Sequence, residues 1–214
     1  LDAFTYIGIG IPLLPAILSL FGWKHFPPEV KTFSVLIWVT FINGLAAFIW
    51  ELTWGTNMPF FHFYILVETV LLIRIFSALL PPFISYKVLN TILVIFSALW
   101  TFNVLFDDGI TGYPTYILAV KGSLLICLAV SWFIKVQRER KIQHPERLFA
   151  FWLSTGVLIF FCGNMLLFIF SNFIFVQAQH VYVAIWGTHA ILVILLYLIY
   201  TIAIIWARKN LTLS

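Results

Sequence analysis

Lys121 stands at the centre of one apolar run, Tyr116-Ile-Leu-Ala-Val-Lys-Gly-Ser-Leu-Leu-Ile-Cys-Leu-Ala-Val130, and Glu68 at the centre of another, Phe63-Tyr-Ile-Leu-Val-Glu-Thr-Val-Leu-Leu-Ile73. A charge at mid-bilayer costs roughly 2.5–3.5 kcal/mol on insertion scales, so a chain that keeps one of each sign is expected to pair them or to use them. Paired, Glu68 stays ionised and Lys121 protonated. Facing an apolar cavity instead, Lys121 would be a neutral nucleophile able to form a Schiff base with an aldehyde.

Further polar groups fall at similar depth when the chain is laid out at 1.5 Å per helical residue. Asn43, Asn164 and His189 join Glu68 and Lys121, so five helices are expected to contribute one strongly polar side chain each to a common layer. Helical spacing adds Tyr64 one turn before Glu68, Trp186 and Tyr182 on the face of His189, and Ser171 two turns after Asn164. Such a layer is a candidate anchor for a small apolar or amphiphilic ligand. The bland alternatives are interhelical hydrogen bonds for Asn43, Asn164 and His189, worth about 0.6 kcal/mol each, and a structural ion pair for Glu68 and Lys121. Glycines beside the layer, Gly156 with Gly163 and Gly44 with Ala47, predict close helix approach.

A second polar group collects at the opposite end from the basic loops: Glu51, Asn57, His62, Asp107, Asp108, Gln177, Gln179 and His180. Imidazole and carboxylate ligands from separate helices can hold a zinc ion with one open position. His62, His180 and Asp107 are the candidate ligands. No HExxH or HxxxH spacing accompanies them, and polar loop ends meeting water explain the same residues.

The elements that carry these residues follow from composition. Hydrophobic residues make up 63% of the chain and charged residues 9%, with a mean hydropathy of +1.06, which a soluble domain could not sustain. An all-α integral membrane protein is expected, a single domain over residues 1–214, because the apolar runs are too long for membrane strands and lack alternation. Seven spans of about 20 residues or more are expected near 3–22, 31–54, 59–79, 84–106, 113–137, 147–174 and 179–207, jointed at Pro27-Pro28, Pro59, Pro81-Pro82, Asp107-Asp108-Gly109, Pro114 and Pro145. Pro12 and Pro15 should kink the first. No basic stretch or small-residue cleavage site flags that span as a removable signal, so it reads as a retained helix.

Alternate connections carry the basic residues: Lys24 and Lys31; Lys87; Lys135, Arg138, Arg140, Lys141 and Arg147; Arg208 and Lys209. The others carry none, so the positive-inside rule puts the N-terminus outside and the C-terminus in the cytoplasm. Trp23, Trp50, Trp54, Trp100, Trp132, Trp152 and Trp206 near span ends read as interfacial anchors. The basic fifth connection is a topology signal, with anionic lipid or a cytosolic signalling partner as its second reading, and nucleic acid is not expected as a partner. Cys127 and Cys162 lie within apolar runs and suggest neither a disulfide framework nor a metal motif.

Two stretches, Asn57-Met-Pro-Phe-Phe-His-Phe-Tyr-Ile-Leu-Val-Glu68 and the segment from Phe151 to Asn172 that contains Cys162-Gly-Asn-Met165, resemble short seven-helix bacterial membrane proteins of unassigned function. The resemblance implies a cytoplasmic (inner) membrane and supplies no catalytic residue. Rhodopsins share the seven-helix, N-outside layout, but their linking lysine lies on the seventh helix and Lys121 on the fifth, which argues against retinal. A receptor or sensor for a small apolar or amphiphilic molecule is therefore the leading expectation. The alternatives are a lipid-acting hydrolase working through a metal or through Glu68 and His189, and a proton-coupled transporter or accessory subunit.

Overall fold

The computed structural model describes residues 3–80, 84–107, 109–139, 142–177 and 182–212, with side chains from 7–169 and 186–211 within those ranges. These residues form α1 (Ala3–Gly10), α2 (Leu13–Leu20), α3 (Pro28–Trp54), α4 (Met58–Leu79), α5 (Tyr86–Phe106), α6 (Thr115–Glu139), a single 3-10 turn (Pro145–Arg147), α7 (Phe149–Gln177) and α8 (Tyr182–Thr212). Among the described residues no strand occurs. Six helices, α3 to α8, are long and apolar enough to cross a bilayer, and the apolar stretch Ile7–Leu20 is shorter.

Local chemistry sets the ends. Pro12 has no N–H to give the preceding turn, and the first apolar run is interrupted there into two short helices. Pro15 falls in the first turn of α2, where an amide has no helical partner to lose. α3 begins with Pro28 at its first position and closes at Gly55, whose φ of 73° only glycine adopts cheaply. α4 stops at Leu80, which is extended as the residue before Pro81 must be. α5 opens on Ser85, whose hydroxyl accepts from the Val88 N–H at 3.3 Å.

The helices close around one another. α7 packs against α6 and α8, α3 against α4, α2 against both α3 and α8, and α5 rests on α4 and α6. Bonds at one end draw the basic connections together: Lys135 Nζ donates to the Leu79 carbonyl at 2.7 Å, Arg74 to Tyr86 Oη and Asn90 Oδ1, and Asn210 Nδ2 to the Arg147 carbonyl at 3.0 Å. Part of the apolar core lies at that same end. There Phe33 meets the rings of Phe149 and Tyr200 edge-on, at 5.1 and 4.8 Å, above Leu153, Ala203 and Ile204.

Two sequence expectations are corrected. Trp132 is buried in the core against Phe133 and Phe151 rather than anchored at an interface, because α6 is flanked there by α7. Gly44 has nothing within 4 Å of where a Cβ would stand, so the Gly44 and Ala47 stripe does not bring helices together. The stripe on α7 does: a Cβ on Gly156 would lie 3.1–3.2 Å from Tyr200, Ile199 and Leu196, and one on Gly163 2.8 Å from Leu192.

Candidate functional site

Most buried hydroxyls in this bundle are satisfied within their own helix. Ser34, Thr69 and Thr201 each donate to the carbonyl one turn earlier, at 2.8, 2.7 and 2.7 Å, and Ser19 to Ala16 at 2.7 Å. Polar contacts that cross between helices are few and stand out against that background.

The first joins α6, α4 and α3. Lys121 Nζ donates to Glu68 Oε2, and the two side chains are 4% and 9% exposed. The ammonium also lies over two rings, 5.7 Å from the centre of Tyr64 and 5.6 Å from that of Phe161, where the π faces stabilise a cation. Tyr64, one helical turn before Glu68, shares a hydrogen bond with Thr40 on α3 at 2.9 Å. Tyr197 and Tyr200 of α8 are near enough to feel the Glu68 charge. Lys121 is therefore a paired cation and not an isolated amine.

The second joins α7 and α8. The His189 Nδ1–H donates to Asn164 Oδ1 at 2.7 Å, and Asn164 Nδ2 donates to the Phe160 carbonyl at 2.8 Å, so the amide's orientation is set by its own helix. The rings of Trp186 and Phe160 flank the imidazole at 5.4 and 5.9 Å. Phe160 and Phe161 stand edge to face, 5.0 Å apart, one touching the histidine and the other the lysine.

Four of the five expected residues thus form two bonded pairs, with the rings of Phe160 and Phe161 between them. Asn43 is half-buried and has no hydrogen-bond partner among the described residues. Tyr182 and Ser171 lie outside the described side chains. Thr40, Phe161, Tyr197 and Tyr200 belong to the site and were not singled out from sequence. The signal was present for two of them: Tyr197 and Tyr200 are one turn apart on the face of α8 that Leu196 and Ala203 bury.

At the other end His62 is fully buried, and its Nε2–H donates to the Gly112 carbonyl at 2.9 Å. Its own carbonyl accepts from Trp100 Nε1 at 3.0 Å, so the α4 start, α5 and the α5–α6 connection are pinned together. Nδ1 has no partner. Asp107 Oδ2 accepts from Asn103 at 3.2 Å and Glu51 Oε2 from Asn57 at 2.9 Å. Among the described residues no three His, Cys, Asp or Glu side chains gather as a metal site, and His180 and Asp108 lie outside the described residues. His62→Leu should lower stability by about 1 kcal/mol, the net worth of a tethering hydrogen bond. It should also speed proteolysis between α5 and α6, and unchanged cleavage there would remove the tether assignment.

Comparison of the chain with protein-family models, with curated proteins and with solved structures finds no match.

Proposed function

We propose that the chain is a receptor or sensor module of a bacterial cytoplasmic membrane, crossing it seven times with α1 and α2 as the first crossing, the N-terminus outside and the C-terminus inside. The grouping of Lys24, Lys31, Lys87, Lys135, Arg138, Arg147, Arg208 and Lys209 on alternate connections supports that orientation. The ligand class is a small apolar or amphiphilic molecule, and the signal passes to a separate membrane or cytosolic partner.

One observation carries this reading. Lys121 is paired with Glu68 and lies over the ring of Tyr64, whose hydroxyl meets Thr40, and these contacts end where α3 is no longer fully buried: its buried residues are Val30, Phe33, Ser34, Leu36 and Ile37, and those beyond are half-buried or exposed. A half-packed apolar face beside Thr40, with the amide of Asn43 one turn on, suits an amphiphile that enters from the bilayer. A molecule seated there would press on the Thr40–Tyr64 bond and so on the ion pair, whose two charges make any change of partner energetically large.

The test is saturable binding of cis-parinaric acid, a fluorescent fatty acid, to the purified chain in detergent micelles, together with solvent extraction and mass spectrometry for a co-purifying molecule. Thr40→Val, which removes only the hydroxyl, should change the affinity by about fivefold or more, the low end of a coupling energy between sites. Absence of both saturable binding and an extractable molecule would sink the proposal. The metal form of the hydrolase alternative depends on His180, which lies outside the described residues, and its acid–base form would use Glu68 and His189, which are bonded into separate pairs.

A further inference from the structure

A groove of about 790 Å³ opens between the end of α2 and the end of α8, lined by Phe21, Gly22, His25, Ile205, Arg208 and Lys209. None of its lining residues is acidic. Arg208 lies over the Phe21 ring at 5.5 Å and Lys209 over Trp206 at 4.8 Å, so both cations are held at the rim by aromatic faces. No carboxylate lies within 4 Å of Arg208 among the described residues. The last turn of α8 is fixed by the bond from Asn210 to the Arg147 carbonyl, and Lys31 Nζ, donating to the Lys24 carbonyl at 3.4 Å, fastens the connection that forms the other wall.

The walls below the rim are apolar. On α2 the outward stripe Leu14, Ile17 and Phe21 runs at helical spacing into the groove, and on α8 Leu198 and Ile205, seven residues apart, do the same. The two helices pack side by side, so a ligand with its charge at Arg208 has a continuous apolar track beneath it toward the bilayer centre. A free phosphate would meet the Arg208 guanidinium and leave that track unused.

We infer that this groove is a binding site for the headgroup of an anionic phospholipid, its phosphate bound by the Arg208 fork and the Lys209 ammonium and its acyl chain laid between α2 and α8. A guanidinium meets phosphate oxygens with two parallel N–H donors, and a basic pocket between membrane helices at a bilayer surface collects such headgroups. The site is remote from Glu68 and Lys121 in sequence and stands independently of the receptor reading.

Native mass spectrometry of the full chain in detergent, titrated with phosphatidylglycerol, tests it. Arg208→Gln should weaken binding about fivefold and Arg208→Gln with Lys209→Gln about 25-fold, one factor for each surface charge removed. Lys87→Gln with Arg138→Gln removes the same charge from the same end and should leave binding unchanged. Phosphatidylcholine should bind at least tenfold more weakly, and millimolar inorganic phosphate should not compete. Equal loss in both double variants would mean generic charge attraction, and competition by phosphate would mean a free-anion site. Either result overturns the inference, as would full binding by the Arg208 and Lys209 variants. Should the double variant not fold, Arg208→Gln alone decides.

Discussion

Glu68→Leu is expected to cost the bundle about 3 kcal/mol, and Lys121→Met a similar amount, while the two together should return to within about 1 kcal/mol of the starting protein. Each single substitution leaves one charge at a site where the two side chains are only 4% and 9% exposed. Removal of one partner of a buried pair costs about 3–5 kcal/mol in soluble cores, and the low end applies here because the bilayer reference state also finds partners for stray polar groups. Removal of both eliminates the desolvation cost along with the attraction, which is why the double variant recovers. Equilibrium unfolding in mixed micelles measures all three. If the double variant loses the sum of the two singles, the residues do not interact and the reading of the site fails. The same double variant separates architecture from function: a stable bundle that still binds the fatty-acid probe normally would make the pair structural only.

The other large effect is steric. Gly156→Leu should destabilise by about 2–3 kcal/mol, because a Cβ there already meets three side chains at 3.1–3.2 Å and the rest of a leucine has nowhere to go. The strain would be relieved by separating α7 from α8, so the bond between Asn164 and His189, spanning those helices two turns further along, should lengthen as well. Gly44→Leu provides the contrast. Nothing lies within 4 Å of its Cβ position, and the change is expected to stay within about 0.5 kcal/mol. Comparable losses at the two glycines would mean that α7 and α8 are not packed as described.

Which polar residues meet was only partly legible beforehand. Lys121 and Glu68 announced themselves, since opposite charges in two apolar runs have one inexpensive arrangement. Tyr64 followed from helical spacing. Asn43 is half-buried and bonded to none of the others among the described residues, since depth along a helix is readable from sequence and the neighbours met at that depth are not. α3 has apolar residues on every face, and Thr40 and Gly44, one turn apart, share a face, so nothing in its sequence says that a neighbouring helix reaches Thr40 and not Gly44. Trp132 was misjudged for the same reason: its place near a span end was visible, and the neighbour that covers it was not.

By itself the sequence determined the six long apolar helices and their limits to within a few residues, through composition and proline and glycine punctuation. Those signals are local and survive without any knowledge of neighbours. The tertiary structure alone decided that the polar layer is two pairs separated by Phe160 and Phe161, that α7 and not α3 carries the close glycine contact, and that Phe21 and Arg208, 187 positions apart, share one groove. In a bilayer every lipid-facing surface is as apolar as the core, so periodicity does not mark the inward face, and only packing assigns it.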